Sequence, residues 1–205
     1  MMWSPAKRRL AIFVKAPRIG QVKTRLGKDI GPVRAARFAR RLANKVIGRI
    51  ARDPRWRTCL WISPDHQAAR AGVWPEDVAR RGQGQGDLGT RMMRALSACG
   101  VGPVVLVGSD IPDLSRGLIE DAFRALECHD VVFGPAKDGG YWLVGVSGMR
   151  PVGNLFYRVR WSTAHALADT LANIRPGLCV ARLPMLGDVD RLEDLARPSL
   201  RQMSL

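Results

Sequence analysis

Acidic residues are almost missing from the first quarter of this 205-residue chain. Between Met1 and Arg52 only Asp29 is acidic, against 15 lysines and arginines. The rest of the chain is nearly balanced, with 18 cations against 17 acids, so the formal net charge of +15 has a local origin. Such an excess marks either an anion-binding region or a solvated basic face. Long apolar runs are also missing, and none approaches the roughly 20 residues that cross a bilayer. The basic start Met1–Arg9 resembles a signal n-region, but only Leu10 to Val14 follows it, shorter than an h-region of about 7–15 residues. No membrane span and a cytoplasmic location are expected. Cys59, Cys99, Cys128 and Cys179 are far apart with no CxxC pair, which argues against zinc and a disulfide framework. Three of them adjoin apolar segments, where a thiol acts as a small hydrophobe.

What is present is a recurrence of short apolar runs separated by helical patterns. That is the pattern of a mostly parallel sheet covered on both faces. Strands are expected at Leu10–Val14, Thr58–Ser63, Val104–Gly108, Asp130–Phe133, Tyr141–Val144 and Cys179–Leu183. Helices are expected from Pro32 to about Asp53, Leu88–Ala98, Leu118–Leu126 and Ser162–Ile174, with Ser162 as N-cap and a short helix near Leu192–Leu195. Residues 65–81 give no clear pattern. One α/β domain over 1–205 is the simplest account, with a basic extension (1–9) and a C-terminal tail (197–205).

Five segments carry chemistry. After the first strand, Lys15, Arg18, Lys23 and Arg25 surround Gly20, a set of cations suited to a polyphosphate or to bulk solvent. The spacing matches neither GxGxxG nor a Walker P-loop. In Gln83–Arg91, the glycines at 84, 86 and 89 offer backbone amides to a base or sugar, while Asp87 suits a helix cap. Asp110 leaves the most buried strand where ligands reach a sheet edge and suits a metal or a turn, and Asp113 suits a structural role before the next helix. Asp138-Gly139-Gly140 makes a tight turn or leaves space for a substrate. Asp188 and Asp190, two apart, point the same way if extended and furnish a further carboxylate or solvate a helix start. The three histidines have no nucleophile or metal-ligand spacing around them.

Taken in order, Phe13–Leu26, Gln85–Gly89, Gly108–Leu114, Gly134–Tyr141, Trp161–Thr163 and Asp188–Asp190 resemble a bacterial family of unknown function. That family is placed in the glycosyltransferase A (GT-A) superfamily and is also called the radical-SAM/selenodomain-associated transferases. The resemblance spans about residues 10–195. It implies a three-layer α/β/α, Rossmann-like nucleotide-diphospho-sugar transferase fold with a mostly parallel mixed sheet, related to cofactor guanylyltransferases. By position it implies nucleotide binding by Lys15, Gly20, Lys23, Arg25 and Gly86-Asp87-Leu88-Gly89, with Lys23 and Asp110 catalytic. Asp110 and Asp190 would hold Mg²⁺ or Mn²⁺, and Asp138-Gly139-Gly140 would face the acceptor or sugar. The family often has Thr-Pro after its second metal aspartate, where this chain has Arg191-Leu192.

The expected activity is a metal-dependent transfer from a nucleotide. Nucleotidyl transfer from an NTP to a small phosphorylated or acidic acceptor is favoured, with glycosyl transfer from an NDP-sugar as the alternative. Nucleic acid is not the expected partner, because part of the basic excess lies on a helix face without interleaved aromatics.

Overall fold

The computed structural model describes residues 8–70, 72–98, 102–197 and 200. The chain runs β1 (Arg9–Lys15), α1 (Thr24–Ile30), α2 (Pro32–Ile50), β2 (Arg57–Ser63), β3 (Ala79–Gly82), α3 (Leu88–Ser97) and β4 (Val104–Gly108). It continues through α4 (Arg116–Ala125), β5 (Val131–Pro135), β6 (Tyr141–Val146), α5 (Ala166–Ala172) and β7 (Val180–Arg182). The seven strands form one sheet in the order β3-β2-β1-β4-β6-β5-β7. β1 pairs in parallel with β2 and β4, whereas β6 is antiparallel to both β4 and β5. The sheet is therefore mixed and mostly parallel.

Alternation along β1 explains the layering. Leu10, Ile12 and Val14 join the cluster that includes Phe38, Leu42, Val46 and Ile50 of α2 and Phe123 of α4. Ala11 turns to the opposite cluster, with Met92, Ala95 and Leu96 of α3 and Ala166 of α5. A sheet buried on both faces needs near-continuous apolar strands, and the Val104-Val-Leu-Val107 run of β4 is fully buried.

The topology creates one functional consequence. From β1 the chain moves outward to β2 and β3, then returns to the other side of β1 as β4. The crossovers leaving β1 and β4 diverge there, opening a crevice at the carboxyl ends of these strands.

The structure departs from the sequence expectations in several places. Thr24–Ile30 forms α1, which cationic composition disguised as loop. Residues 65–81 supply a 3-10 turn at Asp65–Gln67 and the edge strand β3. Ser115, not Asp113, caps α4, by accepting from the Leu118 amide. The expected helix at Ser162 begins only at Ala166, because Ser162 takes φ 61° and the segment before it turns instead. Thr163 Oγ1 donates to the Arg160 carbonyl and accepts from the His165 amide, which consumes the capping groups in that turn. Cys128 and Cys179 are exposed rather than buried hydrophobes. Most of the expected extension and tail, with Cys99, lies outside the described residues. Among the described residues, no helix is long and apolar enough to cross a membrane.

Candidate active site

A cleft of about 710 Å³ opens at the carboxyl ends of β1, β2 and β4. Its polar lining includes Lys15, Lys23, Arg25, Arg91, Asp110 and Asp190. The early basic segment and the two aspartate segments, far apart in the chain, meet here.

Lys23 is the centre of the arrangement. It precedes α1 in a left-handed conformation, φ 45° and ψ 48°, which is uncommon for a residue with a side chain. This turn directs the ammonium inward. Lys23 Nζ donates to Asp110 Oδ2 at 2.8 Å, Asp190 Oδ1 at 3.2 Å and Asp188 Oδ2 at 3.5 Å. Arg25, on the first turn of α1, donates to Asp190 Oδ2 at 3.2 Å from a largely exposed position.

The Lys23 side chain is only 9% exposed. Desolvating an ammonium costs several kcal/mol, and one carboxylate near a protein surface returns gross attraction of about 4 kcal/mol. One partner would barely offset burial; three do. Burial pulls the Lys23 pKa down, but Asp110 first, then Asp188 and Asp190, hold it above the ordinary lysine range. The acids remain in excess. Burial, opposed by Lys23 and reinforced by Asp190 and Asp110, pushes Asp188 up to about 6.

The two C-terminal aspartates reach the same ammonium because their segment is extended. Val189 between them is fully buried, so Asp188 and Asp190 both face the cleft side. Asp194 fixes this segment, its Oδ2 accepting from the Asp190 and Arg191 amides at 2.9 Å each. Arg197 clamps Asp194 and donates to the Gly187 carbonyl at 2.7 Å. Arg191 thus occupies the N-cap position of a short 3-10 turn at Leu192–Ala196, its amide held by Asp194.

Of the two roles the sequence offers the glycine loop, the structure shows the helix cap. Asp87 caps α3, accepting from Thr90 N at 2.8 Å and Thr90 Oγ1 at 2.6 Å. The Gly84 amide is already held by Asp65 Oδ1 at 3.0 Å. Gly89 is buried, and a Cβ there would stand 2.7 Å from Phe156 Cβ and 3.0 Å from the Trp161 ring. Of Gly86 to Gly89, only Leu88 lines the cleft. Gln83 and Arg91 line it too; they bound the candidate segment, but the sequence assigned them no role of their own. Buried Gln83 Nε2 donates to the Trp61 carbonyl at 3.0 Å, and its Oε1 accepts from Arg91 at 2.9 Å. A buried amide spending its groups on two elements is invisible in a linear pattern.

The remaining expected residues fall as follows. Lys15 ends β1 at the cleft wall. Gly20 takes φ 75° in the turn before Lys23 but does not line the cleft, and Arg18 turns to His66 at 2.9 Å. Asp138 lines the cleft while its Oδ1 accepts from the Gly140 amide at 3.0 Å. Gly139 packs closely on Ala164, since a Cβ there would collide with the Ala164 backbone. Asp188, Ser109 and Ser162 also join or border the site.

Asp110 and Asp190 present hard oxygens at a point where a cation already sits. Among the described residues, no group of three or more His, Cys, Asp or Glu is arranged to hold a metal by itself. That donor set fits Mg²⁺ or Mn²⁺ arriving with phosphate, since Mg²⁺ usually takes one or two carboxylates and completes its shell with water and phosphate oxygens.

The chain is similar over 96% of its length to a structure from Desulfovibrio desulfuricans G20, provisionally described as a nucleotide-diphospho-sugar transferase. Identity is 31%, 89% of that chain is covered and the TM-score is 0.85. A 4-diphosphocytidyl-2C-methyl-D-erythritol synthase from Anaerococcus prevotii DSM 20548 matches with 13% identity and a TM-score of 0.58, covering 92% of this chain and 95% of that one. Glucosyl-3-phosphoglycerate synthase from Mycobacterium tuberculosis, with Mn²⁺, UDP and phosphoglyceric acid, matches with 14% identity and a TM-score of 0.53. There the coverage is 94% of this chain and 74% of that one. These matches show the nucleotide-diphospho-sugar transferase (GT-A) fold. No curated protein matches the chain. The chain belongs to the bacterial family described as "Uncharacterized protein conserved in bacteria (DUF2064)", whose model matches residues 46–163.

Proposed function

We propose that this protein, as a single catalytic domain, is a metal-dependent transferase that uses a nucleotide as substrate. The observation that carries the reading is the meeting of Lys23 with Asp110 and Asp190 at the sheet's switch point. Asp110 and Asp190 would hold Mg²⁺ or Mn²⁺, and a divalent cation there supplies charge neutralisation for a departing phosphate. A relative in fold carries Mn²⁺ and UDP, which supports the same assignment.

Lys15, Lys23, Arg25 and Arg91 would bind the phosphates, with Lys as a mobile point charge and Arg as a fork. The turn through Gly20 sets the direction of Lys23. Leu88, at the start of α3, would lie against the base, and Asp87 and Gly89 would position it through the cap and the close packing. Asp138 would orient the acceptor from the hairpin that Gly139 and Gly140 complete. An acceptor oxygen attacks phosphorus or sugar carbon directly, the bond to the departing phosphate breaks, and no side chain need attack.

Four cations along the cleft suit a triphosphate, so nucleotidyl transfer from an NTP to a small phosphorylated or acidic acceptor is preferred. Kinship with cofactor guanylyltransferases belongs to this reading. Glycosyl transfer from an NDP-sugar is favoured instead by the description of the Desulfovibrio relative. Incubation with each NTP, Mg²⁺ and a pool of phosphorylated acceptors should release pyrophosphate. Release of nucleoside diphosphate from an NDP-sugar, without pyrophosphate from any NTP, would decide for glycosyl transfer. Turnover of neither class defeats the transferase reading.

A further inference from the structure

The ammonium of Lys23 and a divalent cation have claims on the same oxygens. Nζ lies 2.8 Å from Asp110 Oδ2 and 3.2 Å from Asp190 Oδ1, with Asp188 Oδ2 at 3.5 Å. A divalent metal held by Asp110 and Asp190 would need the carboxylates that Nζ already engages. Two cations cannot share them without strong repulsion.

The backbone shows that the lysine is held there by construction. Lys23 has φ 45°, sparsely populated for a residue with a Cβ, and its carbonyl accepts from the Gly27 amide at 2.8 Å, the first turn of α1. Its side chain is nearly enclosed, while the three aspartates keep between 31% and 46% exposure. The cation is inside and the anions form the open rim. Lys15 and Arg91 line the same cleft and would meet phosphates there, and a lysine ammonium on its four-carbon stem is a mobile charge.

We infer that Lys23 is a resident placeholder cation. In the substrate-free protein its ammonium holds Asp110, Asp188 and Asp190 together and keeps free divalent metal out. It moves onto the phosphates when metal and nucleotide arrive as one complex. The inference rests on the transferase reading above. It deepens that reading by setting the order of binding: metal alone is refused, and metal with a diphosphate is accepted. Each ligand then raises affinity for the other, as linkage requires.

The test is Mn²⁺ binding to the full chain, followed by electron paramagnetic resonance and calorimetry, with and without inorganic pyrophosphate. In the wild type, Mn²⁺ alone binds weakly, and pyrophosphate tightens it by about tenfold or more beyond its own chelation. Lys23→Met should bind Mn²⁺ alone at least about tenfold more tightly than wild type and lose that synergy. Lys23→Arg keeps a cation in place and should stay as closed to free Mn²⁺ as wild type. Lys23→Met that binds Mn²⁺ alone no better than wild type overturns the placeholder. If Lys23→Met does not fold, the wild type decides, and synergy below about tenfold overturns the inference. The parent reading fails separately: a wild type that binds neither Mn²⁺–pyrophosphate nor any nucleotide is no nucleotide transferase.

Discussion

Two ion clusters sit at opposite ends of the central strands, and their charge balance differs. Near the amino-terminal ends of β1 and β2, Arg8, Arg55 and Arg116 meet Asp53, Glu120 and Glu127, one cation for each acid. At the carboxyl ends, Lys23 and the exposed Arg25 face Asp110, Asp188 and Asp190. The first cluster is complete and ties β1, the α2–β2 connection and α4 together. The second is short of positive charge, and it opens into a cleft. A balanced network stabilises; an unbalanced one at the strands' carboxyl ends can take a divalent cation once Lys23 moves onto phosphate. Removing an acid from each should therefore have opposite consequences.

The largest effect is expected at the unbalanced cluster. Asp110→Asn should lower kcat/KM for the nucleotide substrate by about 10²–10³, the loss typical of one preorganised electrostatic group. Its urea midpoint should change little, because the lost contact with the buried Lys23 ammonium is offset by relief of repulsion among the aspartates. A large loss of stability with unchanged kinetics would reverse the comparison.

Asp53→Asn should do the opposite, costing about 1.5–3 kcal/mol of unfolding free energy while leaving kinetics unchanged. The Arg55 hydrogen bonds, against the opposing effect of burial, hold the Asp53 carboxyl down to about 2. A depressed carboxylate contributes its stability above the unfolded pKa of roughly 3.9 and loses it as pH falls through the folded value. The gap between wild type and Asp53→Asn, measured by urea unfolding, should be full at pH 5 and close progressively from about pH 4 toward pH 2. A gap independent of pH would remove the ion pair as its cause.

A smaller effect is expected at the start of α3. Gly89→Ala places a methyl against Phe156 and Trp161, and overpacking of this kind costs about 1–3 kcal/mol. The shifted helix start should also weaken nucleotide binding through Leu88, measurable by calorimetry. The smallest effect belongs to the basic face of α2. Changing Arg34, Arg37 and Arg41 together to Gln should alter stability by no more than about 0.5 kcal/mol per site and leave nucleotide affinity intact. Parallel loss of nucleotide and nucleic-acid binding in that variant would favour a polyanion-binding protein over an enzyme.

Periodicity alone placed six of the seven strands and the long helix α2, because alternating and three-to-four spacing encode burial directly. β3 was illegible: Ala79-Arg-Arg-Gly82 is a short, half-exposed edge strand with no apolar face to read. α1 was masked by Lys and Arg, and its single buried anchor, Leu26, sets up no period. The cleft aspartates were visible as residues, yet Asp110 admitted a turn role and Asp188 a solvating one until the chain closed around Lys23.

Sequence by itself determined the layered sheet, the local origin of the positive charge and the identity of the groups able to meet phosphate or metal. These depend on composition and on neighbours a few residues apart. Only the tertiary structure decided that one lysine from the start of the chain would sit among three carboxylates contributed from its middle and end. That outcome depends on strand order and on one left-handed residue. Both position groups more than 80 residues apart, a separation over which no local pattern carries information.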